Sequence, residues 1–326
     1  MIKREIPWIE KYRPKTIDSL IADESTKTKI KNIIKDKEMP NIIITGIPGT
    51  GKTSTIVCLT KSILGKHFKE GVLELNASDD RGIRASDTII TFCKKKFNIN
   101  KPNEKKYSNH KMILLDEADN MTNKAQQVIN NMMEKYNSTT RFAFTCNNST
   151  KIIESIQSKC IILRYKRLSK DQIYSRLEDI CKNENIDYTK DGLNSIVLTS
   201  LGDMRQAINN LQLTYNTYEK INIKNVTNIC EKPQPDILKK ILLLCSKNNL
   251  SESIKNIYEI KNNGFSSADI IMSMLNVLKY DEFKELEINT KMKYYKIIGK
   301  TALKISLGLN SIIQLTGCIS ELIESN

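Results

Sequence analysis

Histidine is nearly absent from this chain: its 326 residues include 2, His67 and His110. The 8 cysteines, at 58, 93, 146, 160, 181, 230, 245 and 318, form no C-x-x-C pair. These shortages argue against a zinc site and a disulfide framework, and reduced thiols in a cytosolic or nuclear compartment are the simpler reading. No apolar run approaches the ~18 residues that span a bilayer. The densest, Ile237 to Cys245, is interrupted by Lys239 and Lys240. The opening Met1-Ile-Lys-Arg-Glu-Ile-Pro-Trp8 lacks the apolar core of a signal peptide, so an intracellular protein with no membrane association is expected. Charge is not gathered into one long block and apolar residues make up 40%, which excludes collagen-like, mucin-like and wholly disordered chains.

The length suffices for two or three domains at roughly 150 residues each. Lys and Arg (51) outnumber Asp and Glu (37), a formal charge of +14. Such a charge favours an anionic partner, nucleic acid being the usual one. Heavy use of Lys, Asn and Ile is equally what an AT-rich coding sequence produces, and composition does not separate the two.

The first half alternates short apolar runs with helical patterns. Asn41 to Thr45, Gly71 to Leu75, Met112 to Asp116, Arg141 to Cys146 and Cys160 to Arg164 read as five strands. Their near-continuous apolar character suits a parallel sheet buried on both faces, an α/β arrangement. The stretch Lys94 to His110, with six Lys, one Glu and a Pro, reads as a solvated surface loop. After Tyr165 the pattern turns helical: Ser169-Lys-Asp-Gln172 has capping-box spacing ahead of Ile173, Leu177 and Ile180, and Gly202-Asp203 precedes Met204, Ala207, Ile208 and Leu211. Pro233-Gln-Pro235 punctuates the chain, and every apolar cluster beyond it has helical spacing. The expected plan is an α/β domain over 1–165, a small helical domain over 166–232 and a helical domain over 233–326.

Gly46-Ile47-Pro48-Gly49-Thr50-Gly51-Lys52-Thr53 fits G-x-x-x-x-G-K-[ST] and lies between a strand and an apolar helix beginning near Ser54. Glycines let backbone N–H groups turn towards phosphate oxygens, and the helix N-terminus adds positive potential. Lys52 is expected to reach the β/γ-phosphates and Thr53 to ligate Mg2+, and the nucleotide-binding stretch is expected to run from Thr45 to Ser54. Asp116-Glu117 ends the third strand; Asp116 is expected in the Mg2+ shell, and Glu117 is placed to polarise an attacking water. Asn147 follows the fourth strand, where ligands gather in an α/β sheet; it either orients water or the γ-phosphate or simply forms a turn. Arg205 lies one position off the Met204/Ile208 stripe, and from its spacing alone it reads first as a solvated helix arginine.

Pro7-Trp-Ile-Glu-Lys-Tyr-Arg-Pro14, the P-loop, Glu74-Leu-Asn-Ala-Ser-Asp-Asp-Arg-Gly-Ile83, Leu115-Asp-Glu-Ala-Asp119, Cys146-Asn147, Gln157-Ser-Lys-Cys160 and Gly202-Asp-Met-Arg-Gln206 follow one another in an order that resembles the replication factor C small subunits. The resemblance covers almost the whole chain, and Lys151-Ile-Ile-Glu-Ser-Ile-Gln157 looks closest to the animal subunit numbered 2. It implies an AAA+ ATPase in a hetero-pentamer with other replication factor C subunits. That assembly uses ATP and Mg2+ to open the sliding clamp (PCNA) and load it onto primer–template DNA, in replication and repair, in the nucleus. By position, it also implies that Ile9 and Arg13 help form the adenine side of the pocket. Asn147 becomes the sensor-1 residue and Arg205 the sensor-2 arginine. The α/β core, a helical lid and a C-terminal collar that holds the pentamer together then account for the three segments.

Four departures stand out. The family's Ser-Arg-Cys, whose arginine reaches the neighbouring subunit's ATP site, is Ser158-Lys159-Cys160 here. Lysine keeps the charge but loses the planar fork, so Lys159 is expected to act as a weakened finger. Asn130-Asn131 stand where the family commonly has two arginines, and Asp87 takes a basic position, with Arg84 one turn earlier. Fewer phosphate contacts to DNA are therefore expected; Arg81 and Arg84 are the DNA candidates, an intra-protein salt bridge being the competing reading. Ile47 and Ser155 replace prolines, with small expected effect. The rival readings are a small-molecule phosphotransferase, a homo-hexameric AAA+ helicase-type motor and a hydrolytically weak scaffold of the same assembly. Arg205, the helical tail and the Ser-x-Cys block argue against the first, and intact Lys52, Thr53, Asp116 and Glu117 against the last.

Overall fold

Runs that are apolar at nearly every position become strands covered on both faces. In the computed structural model they are β1 (Ile42–Gly46), β2 (Val72–Asn76), β3 (Lys111–Asp116), β4 (Thr140–Cys146) and β5 (Ile161–Tyr165), each within a residue of its expected span. The structure describes residues 6–77, 83–95, 97, 108, 110–229, 233, 235–279 and 286–326. The chain divides into two compact units, 1–223 and 224–326. The five strands form one sheet in the order β2-β3-β4-β1-β5, and every pairing is parallel.

Alternation along the strands sends side chains to two helical layers. Ile42 and Ile44 of β1 meet Ile30, Ile56, Leu59 and Ile63, from the helices Glu24–Asp36 and Lys52–Leu64. Ile43 instead joins Phe142, Phe144, Ile89, Ile129 and Met133, the last three from the helices Ile83–Lys94 and Asn123–Lys135. Each fully buried side chain of this size contributes about 1.5–3 kcal/mol, so packing rather than helix propensity holds these helices in place. Because the sheet is parallel, the segments leaving β1, β3 and β4 emerge at the same end.

Lys111, 2% exposed at the start of β3, departs from the rule that lysine stays at the surface. Its ammonium donates to the carbonyls of Phe92 (2.6 Å), Cys93 (2.7 Å) and Lys95 (2.5 Å). All three protons thus close the C-terminal end of the helix Ile83–Lys94, where the dipole favours a cation. The stretch 94–110 was expected to be solvated; Lys94 and Lys95 are exposed, whereas Phe97 and Ser108 depart from that. Lys94 ends the helix, and Phe97 packs so tightly on Gly71 that a Cβ there would stand 2.5 Å from the ring. Ser108 is 4% exposed. An aromatic ring with core to cover pulls the chain inwards despite its lysines; residues 96, 98–107 and 109 lie outside the described residues.

The remainder of the first unit is mostly helical. Ser169 and Gln172 form the anticipated capping box of the helix Lys170–Glu184, and Asp203 caps Met204–Tyr218 through the N–H groups of Arg205 (2.8 Å) and Gln206 (3.1 Å). A short parallel pair, β6 (Asp187–Tyr188) with β7 (Lys220–Ile221), escaped the sequence reading; two-residue strands carry no periodicity. The N-terminal helix Trp8–Lys11 is strapped to these helices. The Trp8 N–H donates to Gln212 Oε1 (2.9 Å) and its ring stacks on Tyr215 at 5.5 Å. Arg176 donates to the Tyr12 carbonyl (2.8 Å), and the Tyr12 hydroxyl and Lys11 both reach Glu184.

The second unit is built from the helices Pro235–Ser246, Leu250–Asn262, Ser267–Lys279, Ile288–Ser306 and Ile312–Glu324. Its core is Leu238, Leu242, Ile257, Ile270, Met274 and Ile298, closed at one end by the Tyr294 hydroxyl donating to Asn326 (3.0 Å).

Candidate nucleotide site

The segment joining β1 to the helix Lys52–Leu64 needs its glycines. Gly49 (φ +71) and Gly51 (φ +87) occupy the left-handed region, which lets the chain turn its N–H groups inwards before the helix starts. Gly46 lacks room for a side chain, since a Cβ would approach the Tyr165 carbonyl to 2.7 Å. At Gly49 a Cβ would fall 1.7 Å from Asp203 Oδ1, so the cap of the Met204–Tyr218 helix rests directly on the P-loop. The Met204 N–H also reaches the Gly49 carbonyl at 3.3 Å.

Lys52 folds over this loop. Its Nζ donates to the carbonyls of Gly46 (2.8 Å) and Ile47 (2.9 Å) and to Asn147 Oδ1 (2.9 Å). Burial draws the Lys52 ammonium below its ordinary pKa, and Asp116 works in the opposite direction. The Thr53 hydroxyl stands 3.2 and 3.1 Å from the two oxygens of Asp116. Hydroxyl and carboxylate are hard oxygen donors of the kind Mg2+ takes, with phosphate and water filling the rest of its shell, so these residues fit the ion.

Glu117 adopts φ +53, unusual for a residue with a Cβ. Its N–H is shared between Thr145 Oγ1 (3.2 Å) and Asp116 Oδ1 (3.1 Å), and Asn120 donates to its carboxylate (3.1 Å). Because β4 lies between β1 and β3, the acidic pair sits one strand away from the P-loop. Asn147 is fixed through its backbone: its N–H and that of Asn148 reach Asp119 Oδ2 at 3.3 Å. The other Asp119 oxygen is buried without a hydrogen-bond partner.

One cleft of about 320 Å3 gathers most of the expected residues. Pro48 to Ser54, Asp116, Glu117, Asn147 and Arg205 line it, as do Ile9 and Arg13. Arg13 Nε approaches Ser54 Oγ at 3.4 Å. Thr45, Gly46 and Ile47 stand behind the lining, where Thr45 donates to the Asn147 carbonyl (3.4 Å). Lys159 lies elsewhere, just before β5, and its side chain reaches the helix Asn123–Lys135, donating to Asn130 Oδ1 (2.6 Å) and pairing with Glu134. Arg81 is outside the described residues, as is the side chain of Arg84; Asp87 is exposed.

Sequence reasoning missed four kinds of residue here. Arg176 lines the cleft on the helix Lys170–Glu184, but its spacing is that of any solvated helix arginine. Leu20, Ile21, Leu168, Met204 and Ile208 supply the apolar wall, and core periodicity had claimed the last two. Asp203 appears in a family block, yet nothing in the sequence says that it touches Gly49. Thr145 reads as one more strand residue.

The ATPase family associated with various cellular activities (AAA) matches residues 42–168, and an AAA+ ATPase lid domain of the replication factor C type matches 175–215. The chain is thus an AAA ATPase. The Thermotoga maritima RuvB branch migration motor, 16% identical, superposes with a TM-score of 0.54 over 72% of this chain and 78% of that one, a likeness of fold alone. The replication factor C C-terminal domain matches 233–321. Replication factor C subunit 2 of Dictyostelium discoideum is 45% identical over 97% of this chain and 92% of its own length. Subunit 4 of Schizosaccharomyces pombe is 43% identical (98% and 92%), and that of Saccharomyces cerevisiae 42% (99% and 97%). The chain belongs to the replication factor C small-subunit family, the ATPase components of the clamp loader. These full-length matches do not favour the helicase-type or phosphotransferase alternatives. Among the described residues, no helix is long and apolar enough to cross a membrane.

Proposed function

We propose that this cleft binds ATP with Mg2+ and hydrolyses it, driving the loading of PCNA onto primer–template DNA by a nuclear hetero-pentamer of replication factor C subunits. The observation that carries this reading is the convergence of Lys52, the Thr53–Asp116 pair, Asn147 and Arg205 on one cleft built by both the α/β core and the helices after it. The loop N–H groups and Lys52 hold the phosphates, Ile9 and Arg13 border the base side, and Thr53 with Asp116 hold the ion. Bound there, Mg2+ neutralises charge on the β- and γ-phosphate oxygens. Glu117 orients a water and takes its proton as the water oxygen bonds to the γ-phosphorus and the bond to the β-phosphate oxygen breaks, giving ADP and phosphate. Asn147 and Arg205 steady the γ-phosphate from opposite sides.

In this reading residues 1–165 are the ATP-binding domain, 166–232 the lid and 233–326 the collar that joins subunits. Lys159 faces the neighbouring subunit's nucleotide, and Arg81 and Arg84 approach DNA. The test is binding of ATP to the full chain, followed by hydrolysis in the assembly reconstituted with its partner subunits, clamp and primed DNA. Lys52→Ala should lose nucleotide binding, whereas Glu117→Gln should bind ATP and fail to hydrolyse it. A Lys52→Ala chain that binds ATP as tightly as wild type would refute the assignment.

A further inference from the structure

We infer that Thr145 is a positioning residue for hydrolysis, its hydroxyl fixing both the carboxylate of Asp116 and the backbone of Glu117; this rests on the reading of Asp116 and Glu117 given above. Along β4, Phe142, Phe144 and Cys146 face one helical layer, while Ala143 faces the other, beneath the helix Lys52–Leu64. Thr145 continues the Ala143 face at its last position before the cleft. The register Leu115↔Phe144 sets it beside Asp116. It is 3% exposed.

What its hydroxyl bonds to separates it from buried threonines such as Thr60 and Thr214. Those donate to the carbonyls of Ile56 and Asn210 within their own helices, a purely local satisfaction. Thr145 donates to Asp116 Oδ1 on the adjoining strand and accepts the Glu117 N–H at 3.2 Å. Both hydrogen-bonding roles of one hydroxyl are therefore filled by the acidic pair.

The consequence for Asp116 is that its two oxygens become unequal. Oδ1 takes Thr145, the Glu117 N–H at 3.1 Å and Thr53 at 3.2 Å, while Oδ2 takes Thr53 alone, at 3.1 Å. Oδ1 is anchored from three sides, while Oδ2 is held by Thr53 alone. For Glu117 the acceptor holds a peptide whose φ of +53 a residue with a Cβ seldom keeps unaided. Without it the peptide can relax, and the carboxylate moves with it.

Valine is isosteric with threonine, so Thr145→Val removes the hydroxyl with little change in volume, and Thr145→Ser restores it. Loss of a partner that orients such a group typically costs 10–100-fold. The assay uses the assembly reconstituted with partner subunits whose own P-loop lysines are replaced by alanine, so that hydrolysis reports this site. Thr145→Val should lower kcat by about 10–100-fold, leave ATP affinity in EDTA unchanged, and weaken the gain in affinity that Mg2+ brings. Thr145→Ser should recover most of each loss. Glu117→Gln is the control: if it stays active the site reading falls, and this inference with it. If Glu117→Gln is inactive while Thr145→Val matches wild type in kcat and in Mg2+-dependent binding, the inference alone is overturned. Equal impairment of the serine and valine variants would overturn it as well.

Discussion

Replacing Gly49 by alanine tests the contact between the P-loop and the Met204–Tyr218 helix. The left-handed φ of +71 costs an L-residue roughly 1–2 kcal/mol. The new Cβ would also stand 1.7 Å from Asp203 Oδ1 and 2.2 Å from its Cγ, so the aspartate must swing away. In leaving, it gives up its bonds to the N–H groups of Arg205 and Gln206, an N-cap worth about 1 kcal/mol. Gly49→Ala should therefore destabilise the first unit by about 2–3 kcal/mol, and Asp203→Ala by about 1 kcal/mol. In the double variant the collision is gone and the cap already lost, so its cost should match that of Gly49→Ala alone. The two changes are then coupled by about 1 kcal/mol. Urea unfolding followed by tryptophan fluorescence is the assay, because Trp8, the single tryptophan, stacks on Tyr215 and reports this unit. Additivity within about 0.3 kcal/mol would refute the contact.

Lys159→Arg should speed hydrolysis in the reconstituted complex by restoring a bidentate fork towards the neighbour's phosphates; an unchanged rate would count against a finger role. The Lys159–Glu134 pair is partly exposed, so Glu134→Gln should change stability by less than about 1 kcal/mol in thermal unfolding. Burial pushes the phenols of Tyr12, Tyr165 and Tyr294 up to about 12, so phenolate absorbance should show these tyrosines ionising late. Their folded values lie above the unfolded value of 10.0. Their contribution to stability is thus complete below pH 10.0 and lost as pH rises towards 12, and Tyr165→Phe should remove its share.

The sheet was legible because a parallel strand buried on both faces leaves an apolar run that few other environments permit, as in Asn41-Ile-Ile-Ile-Thr45. Lys52, Thr53, Asp116 and Asn147 were legible because each stands directly at a strand end or helix start. What stayed hidden depends on contacts between distant segments. Phe97 lies in a lysine-rich stretch yet covers Gly71, and Arg176 has an unremarkable helical spacing yet meets Tyr12. Thr145 is chemically ordinary until β3 is set beside β4. Lys111 reads as a solvated charge because nothing local reveals that a helix ends above it.

The strap that ties Trp8 to Gln212 and Tyr215 also sets an order of events during synthesis. Trp8 and its acceptor are 204 residues apart, a delay of roughly 10–40 s at typical elongation rates. Over that interval β1 gains first β4 and then β5 as neighbours, while the N-terminal helix has nothing to dock against. The strap, made before the sheet, is thus the last wall of the cleft to close. A chain stalled before the Met204–Tyr218 helix would carry a formed P-loop with the Ile9 and Arg13 side of the cleft open to solvent. A ribosome-bound chain should consequently acquire tight nucleotide retention as a late step, well after its sheet has formed.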